Sequence, residues 1–86
     1  MDDPELWAGI LMLNIAEDIA RFMHEQQMSK AYLADAAGVK EAVITRVMRG
    51  DPKISILTIA KIATALGQTP RDLKWEILTE RKMKLL

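Results

Sequence analysis

The sequence predicts an all-α domain of five helices. Apolar residues recur every three or four positions along most of the chain, with no alternating strand pattern and no internal repeat. Glycine and proline punctuate that periodicity at Gly38, Gly50, Pro52, Gly67 and Pro70. The segment Lys30–Arg49 (KAYLADAAGVKEAVITRVMR) holds two short helical patterns separated by a single glycine. These features together predict a short helix pair joined at a sharp angle and set among longer helices.

The first helix begins with Asp3 as N-cap, Pro4 at the first helical position and Glu5 at the positive end of the helix dipole. It is predicted to run to about Gln26, with Gly9 its weak point. Ile15, Ile19, Phe22 and Met23 recur on one face and pack inward. Upstream, Leu6, Trp7, Ile10, Leu11 and Leu13 are apolar nearly all round, and a helix end of that kind needs a cover. A second copy of the chain is the predicted cover. Leu6, Trp7, Ile10 and Leu11 are therefore the candidate dimer or partner surface, with Trp7 favoured because tryptophan prefers buried contact positions.

Gln27, Met28 and Ser29 form a link in which Ser29 caps the second helix, which runs to Ala37. Leu33, Ala34 and Ala37 make its inner stripe, and Gly38 and Val39 the corner. The third helix occupies about Lys40 to Met48, turns Ile44 and Val47 inward, and ends at Arg49-Gly50. Asp51-Pro52-Lys53 is a turn, because proline cannot continue a helix. Ser55 caps the fourth helix, whose inner stripe is Ile56, Ile59, Ile62, Ala63 and Leu66 before Gly67 ends it. Thr69-Pro70-Arg71-Asp72 starts a fifth helix through about Thr79, burying Leu73, Ile77 and Leu78. The domain plan is thus an N-terminal helix over 1–26, a core over 27–79 and a basic tail over 80–86. Met12, Met23, Met28 and Met48 read as core filler. His24 reads as a surface residue without a role, and Trp75 as a packing or dimer contact.

An 86-residue chain that is half hydrophobic makes one folded domain. No cysteine is present, so disulfides, thiolate zinc sites and cysteine nucleophiles are excluded. One histidine is too few for a metal cluster or a Ser-His-Asp relay. A non-enzymatic protein without cofactors is expected, since nothing suggests convergent ionisable groups, a phosphate loop or metal spacing. The apolar stretch Leu6–Ile15 follows acids rather than a basic n-region, and Glu17, Asp18 and Arg21 interrupt it well short of a bilayer span. No membrane association is expected, and the location is read as cytoplasmic. Net charge is zero, but residues 1–20 carry five acids and no base, which leaves twelve bases against seven acids in the remainder. The two ends can thus face different partners.

From about Gln27 to Gly67 the chain resembles the phage-repressor family of helix-turn-helix proteins, the lambda-repressor-like or XRE/Cro type. The stretches MSKAYLADAAGV, VMRG and SILTIAKIATALG carry the resemblance, with the anchors and glycines at the family spacing. The resemblance implies a lambda-repressor-like DNA-binding domain, here with an extended N-terminal helix. It further implies a homodimer on a two-fold operator of double-stranded DNA, with the third helix in the major groove. Lys40, Glu41, Ala42, Thr45 and Arg46 would then read base edges, and Val43 could meet a thymine methyl. Ser29 and Lys30, at the start of the second helix, and Arg49 and Lys53, beyond the third, would hold phosphates. Lys30 stands where the family often has glutamine. Glu41 also departs from the family pattern: it can accept from cytosine N4, orient Lys40, Arg46 or Lys30 through an ion pair, or favour the helix dipole alone. Two other functions fit this fold. One is an antitoxin that binds a toxin protein and regulates its own gene, motivated by the acidic, apolar N-terminal helix. The other is a helix-turn-helix interaction module without DNA binding.

Overall fold

The computed structural model describes residues 3–73, which form four α-helices and one 3-10 turn. The helices are α1 (Pro4–Glu25), α2 (Lys30–Ala37), α3 (Glu41–Met48) and α4 (Ile56–Ala65), and the turn spans Pro70–Asp72. Side-chain caps open three of the four. Asp3 accepts from the Glu5 and Leu6 amides, Ser29 from Tyr32 and Ser55 from Thr58. Each bond satisfies an amide that the first helical turn leaves without an internal partner.

All four helices end in the same way. One or two residues past the helix the chain turns left-handed, and two reversed bonds close the last turn. After α2, Gly38 (φ 71°) donates to the Asp35 carbonyl at 3.2 Å and Val39 to that of Ala34 at 3.0 Å. After α3, Gly50 (φ 76°) donates to Val47 at 2.9 Å and Asp51 to Arg46 at 3.1 Å. Gly67 and Gln68 close α4 on Thr64 and Ala63. After α1 the same position falls to Gln27, at φ 54° the one non-glycine residue with positive φ among the described residues. Its amide reaches the His24 carbonyl, and that of Met28 the Met23 carbonyl.

α2 packs on α3 and α4, α3 packs on α1, and the 3-10 turn rests on α4. Their inner faces share one core, in which Ile15, Ile19, Leu33, Ile44, Val47, Ile59 and Ile62 are almost wholly buried. Ala34 fills the α2 crossing with a single methyl, and Ala37 and Val39 pack half-buried beside it. Met12 and Met23 are buried, and Met28 and Met48 lie against the core at its edge. The Gln26 side-chain amide donates to the Leu66 carbonyl at 2.7 Å, tying the end of α1 to the end of α4.

The structure differs from the sequence reading in two places and adds a buried charge that the reading did not assign. Ile56, assigned to the inner stripe of α4, is 71% exposed, and Leu57 beside it is also exposed. Ile56 keeps the register of Ile59, but at the first residue of the helix it lies one turn out from the core cluster. Lys40 precedes α3 as its N-cap and is not its first residue. Asp18, read as an interruption of an apolar run, is buried and receives Arg21 Nη2 at 3.2 Å. The expected fifth helix falls mainly outside the described residues, and at its expected start the chain forms the 3-10 turn Pro70–Asp72. Asp72 accepts from the Thr69 amide at 2.8 Å, the returning arm of a capping box, and Leu73 is buried. Trp75, Ile77, Leu78 and the basic tail lie outside the described residues.

The glycine turns are unequal. A Cβ built on Gly38 meets open space, whereas one on Gly50 would lie 2.6 Å from Leu13 Cδ2 and 2.8 Å from Cγ. Gly38→Ala should cost about 1 kcal/mol through left-handed strain alone. Gly50→Ala should cost about 2–3 kcal/mol, because the Leu13 side chain must also move. Urea unfolding in a Leu13→Ala background should erase that difference. In the opposite direction, Gln27→Gly should stabilise the domain by roughly 0.5–1 kcal/mol, read as a higher urea midpoint with unchanged slope.

Candidate nucleic-acid interface

α3 has two faces. Ile44 and Val47 point into the core, one turn apart, and Val43 and Met48 flank them half-buried. The opposite face carries Glu41, Ala42, Arg46 and Arg49 exposed, with Thr45 half-buried at its margin. Every third or fourth residue along the helix therefore projects outward from Ala42 through Arg46 to Arg49. Lys40 is exposed just before the helix and makes no side-chain cap bond. The Val43 amide, which a side-chain cap would otherwise engage, donates instead to the Lys40 carbonyl at 2.9 Å.

The residues assigned to base reading fall on this helix, but not all are equally presented. Lys40, Glu41, Ala42 and Arg46 are exposed, whereas Val43 divides its surface between the core and solvent. Glu41 occupies the first position of α3 and takes part in no ion pair among the described residues, so its favourable interaction there is with the helix dipole. Ser29 spends its oxygen on the Tyr32 amide at 3.1 Å, which leaves the hydroxyl proton to donate outward. Lys30 is exposed at the first residue of α2, and Arg49 and Lys53 are exposed beyond α3.

Arg46 has a partner that the sequence reading did not name. Its Nε and Nη2 both donate to Asp51 Oδ2, each at 2.8 Å. The other oxygen, Oδ1, accepts from the Lys53 amide at 2.8 Å. The Lys53 amide and then the Arg46 guanidinium hold the Asp51 carboxyl below its ordinary value of 3.8. Asp51 follows Arg46 by five residues, outside the three- and four-residue spacings of helical pairs. Only the left-handed turn at Gly50 brings the two together. The legible signal was the motif of a helix-ending glycine followed by Asp and Pro, which sets an Asp at the point where the chain reverses.

The N-terminal surface is partly covered. Trp7, Ile10 and Leu11 are half-buried, whereas Leu6 is 46% and Leu13 52% exposed. Among the described residues no helix is long and apolar enough to cross a membrane.

A family model described as a Cro/C1-type HTH DNA-binding domain matches residues 18–74, well over half of the chain. The match starts inside α1, earlier than the resemblance read from the sequence motifs, and covers α2, α3, α4 and the 3-10 turn. No curated protein matched the chain.

A carboxylate held low in the fold stabilises the fold above its unfolded value and loses that contribution as pH falls through its folded value. Asp51 and Asp72 are both of this kind; the Thr69 amide and then the Thr69 hydroxyl lower Asp72. Carboxyl NMR titration should find both below 3.8. Arg46→Ala should raise the Asp51 value only in part, because the Lys53 amide is the larger cause. It should leave Asp72 unchanged.

Proposed function

Because the chain belongs to the Cro/C1-type helix-turn-helix DNA-binding domain family, we propose that it is a sequence-specific DNA-binding transcriptional regulator, acting as a homodimer on a two-fold operator. The observation that carries this reading is the division of α3. Its inner face is locked into the core by Ile44 and Val47, and its outer face offers Ala42, Arg46 and Arg49 to solvent in one row. A rigid helix with one free polar face is what major-groove reading requires. In this proposal Lys40, Glu41, Ala42, Thr45 and Arg46 face base edges, and Val43 offers part of its surface to a thymine methyl. Ser29, Lys30, Arg49 and Lys53 hold phosphates on either side.

Zero net charge does not oppose this assignment. The five acids of residues 1–20 belong to α1 or precede it, while Lys30, Lys40, Arg46, Arg49 and Lys53 all lie on α2, on α3 or beside them. Local potential, not the sum over the chain, governs approach to DNA.

The exposed Leu6 and Leu13 on the acidic N-terminal segment support a second reading, an antitoxin whose α1 binds a toxin protein. Copurification with the product of a neighbouring gene encoding a small basic protein would favour it over the homodimer.

Fluorescence-anisotropy binding to DNA from the upstream region, over a range of salt, tests the main proposal. Lys30, Arg49 and Lys53 give six phosphate contacts per dimer, so log affinity should fall with log salt at a slope of about −5. Lys30→Ala should weaken binding to every sequence alike and flatten that slope by about 2, one unit per protomer. Salt-independent binding would overturn the phosphate assignments, and one protomer per site would overturn the dimer.

A further inference from the structure

We propose that Asp51 is a positioning residue for base reading: it grips Arg46 by one edge of the guanidinium so that the other edge is presented in a single orientation to a guanine. The inference rests on the DNA-binding reading above and adds a residue which that reading leaves out.

Arginine carries five N–H donors in a planar fork. The pair with Asp51 uses Nε and Nη2, both on Oδ2 at 2.8 Å. Those atoms define the side edge of the plane. The end edge, made by Nη1 and the second proton of Nη2, remains available, and it matches the O6 and N7 acceptors of guanine. Asp51 is itself fixed at both ends. Its Oδ1 accepts from the Lys53 amide at 2.8 Å, and its own amide donates to the Arg46 carbonyl at 3.1 Å in the turn that closes α3. The backbone of Arg46 therefore holds the residue that holds its guanidinium. Asp51 is half-buried while Arg46 is exposed, so the anchor sits beneath the group it aims.

Two consequences separate this role from a merely structural one. An arginine ordered before binding loses less side-chain freedom on contact, which is worth about three- to tenfold in affinity for the matching base pair. The Asp51 carboxylate also repels phosphates, so it lowers affinity for all DNA alike. Sequence discrimination and general affinity should then move in opposite directions when its charge is removed.

Asp51→Asn is the informative variant. The amide oxygen can keep the Lys53 bond and with it the turn, but its NH2 then faces the Arg46 donors and releases them. Sites would be selected from randomised duplexes with the wild-type protein, and affinities measured for single base-pair variants and for an unrelated duplex. Arg46→Ala should abolish preference at one G·C pair per half-site. Asp51→Asn should reduce preference at that same pair about three- to tenfold, while binding the unrelated duplex more tightly than wild type does. The double variant should discriminate no worse there than Arg46→Ala. In the free protein, the Arg46 Nε–H resonance should show hindered guanidinium rotation in wild type and lose it in Asp51→Asn. Thermal unfolding of each variant would confirm that it is folded.

Full discrimination retained by Asp51→Asn, or a loss at a different base pair from Arg46→Ala, would overturn the proposal. So would discrimination improved by Asp51→Asn, which would make the pair a competitor of DNA. A wild-type protein that selects no site would overturn the DNA-binding reading itself, an outcome visible before any variant is made.

Discussion

An eight-residue helix does not persist in water by itself, because nucleation costs more than so few backbone bonds return. α3 is such a helix, and it is held by the burial of Ile44 and Val47 against α1 and α2. Each contributes roughly 1.5–3 kcal/mol relative to an exposed side chain. The direction of the outer face of α3 depends on this anchorage. With two buried residues one turn apart, the helix cannot roll about its axis without exposing one of them, so the outward row from Ala42 to Arg49 has a fixed direction.

The same economy governs the helix ends. A chain that packs three short helices within about 35 residues has to reverse direction abruptly, and the left-handed closure does this while satisfying two carbonyls. Glycine takes that position three times, and Gln27 takes it once. The closure after α3 does more than stop the helix. It brings Gly50 against Leu13 of α1 and sets Asp51 beside Arg46. One turn thus joins the N-terminal helix, the end of α3 and the side chain at the centre of its exposed face.

Much of this was legible in the residues. Periodicity located the inner faces of α1, α2 and α3, because burial of a stripe is a local pattern that three-dimensional packing only confirms. Caps and stops were equally legible at Asp3, Ser29, Ser55, Gly38, Gly50 and Gly67, since each depends on the chemistry of one residue and its immediate neighbours. The failures share a cause. Ile56 has the right register but stays exposed, because burial depends on where the partner helices end. Asp18 looks solvated by residue type, yet sits buried with Arg21. The Arg46–Asp51 pair spans a left-handed turn, and no spacing rule for regular helices reaches across one. Of the proposed interface, sequence could place the residues on α3 but could not say which of them already had a partner.

That distinction bears on how a protein of zero net charge could read DNA. Clustered cations raise affinity for any duplex, and with it the competition from the rest of a genome. On this chain the exposed face of α3 mixes signs: Glu41 stands at its start, and Asp51 offsets Arg46 at 2.8 Å. In the proposed complex these carboxylates would lower affinity for any duplex. What remains depends on whether the oriented donors meet matching acceptors, a condition that only particular base pairs satisfy. The carboxylates that look out of place beside phosphates would then act on the ratio between right and wrong sites, which is the quantity a regulator has to control.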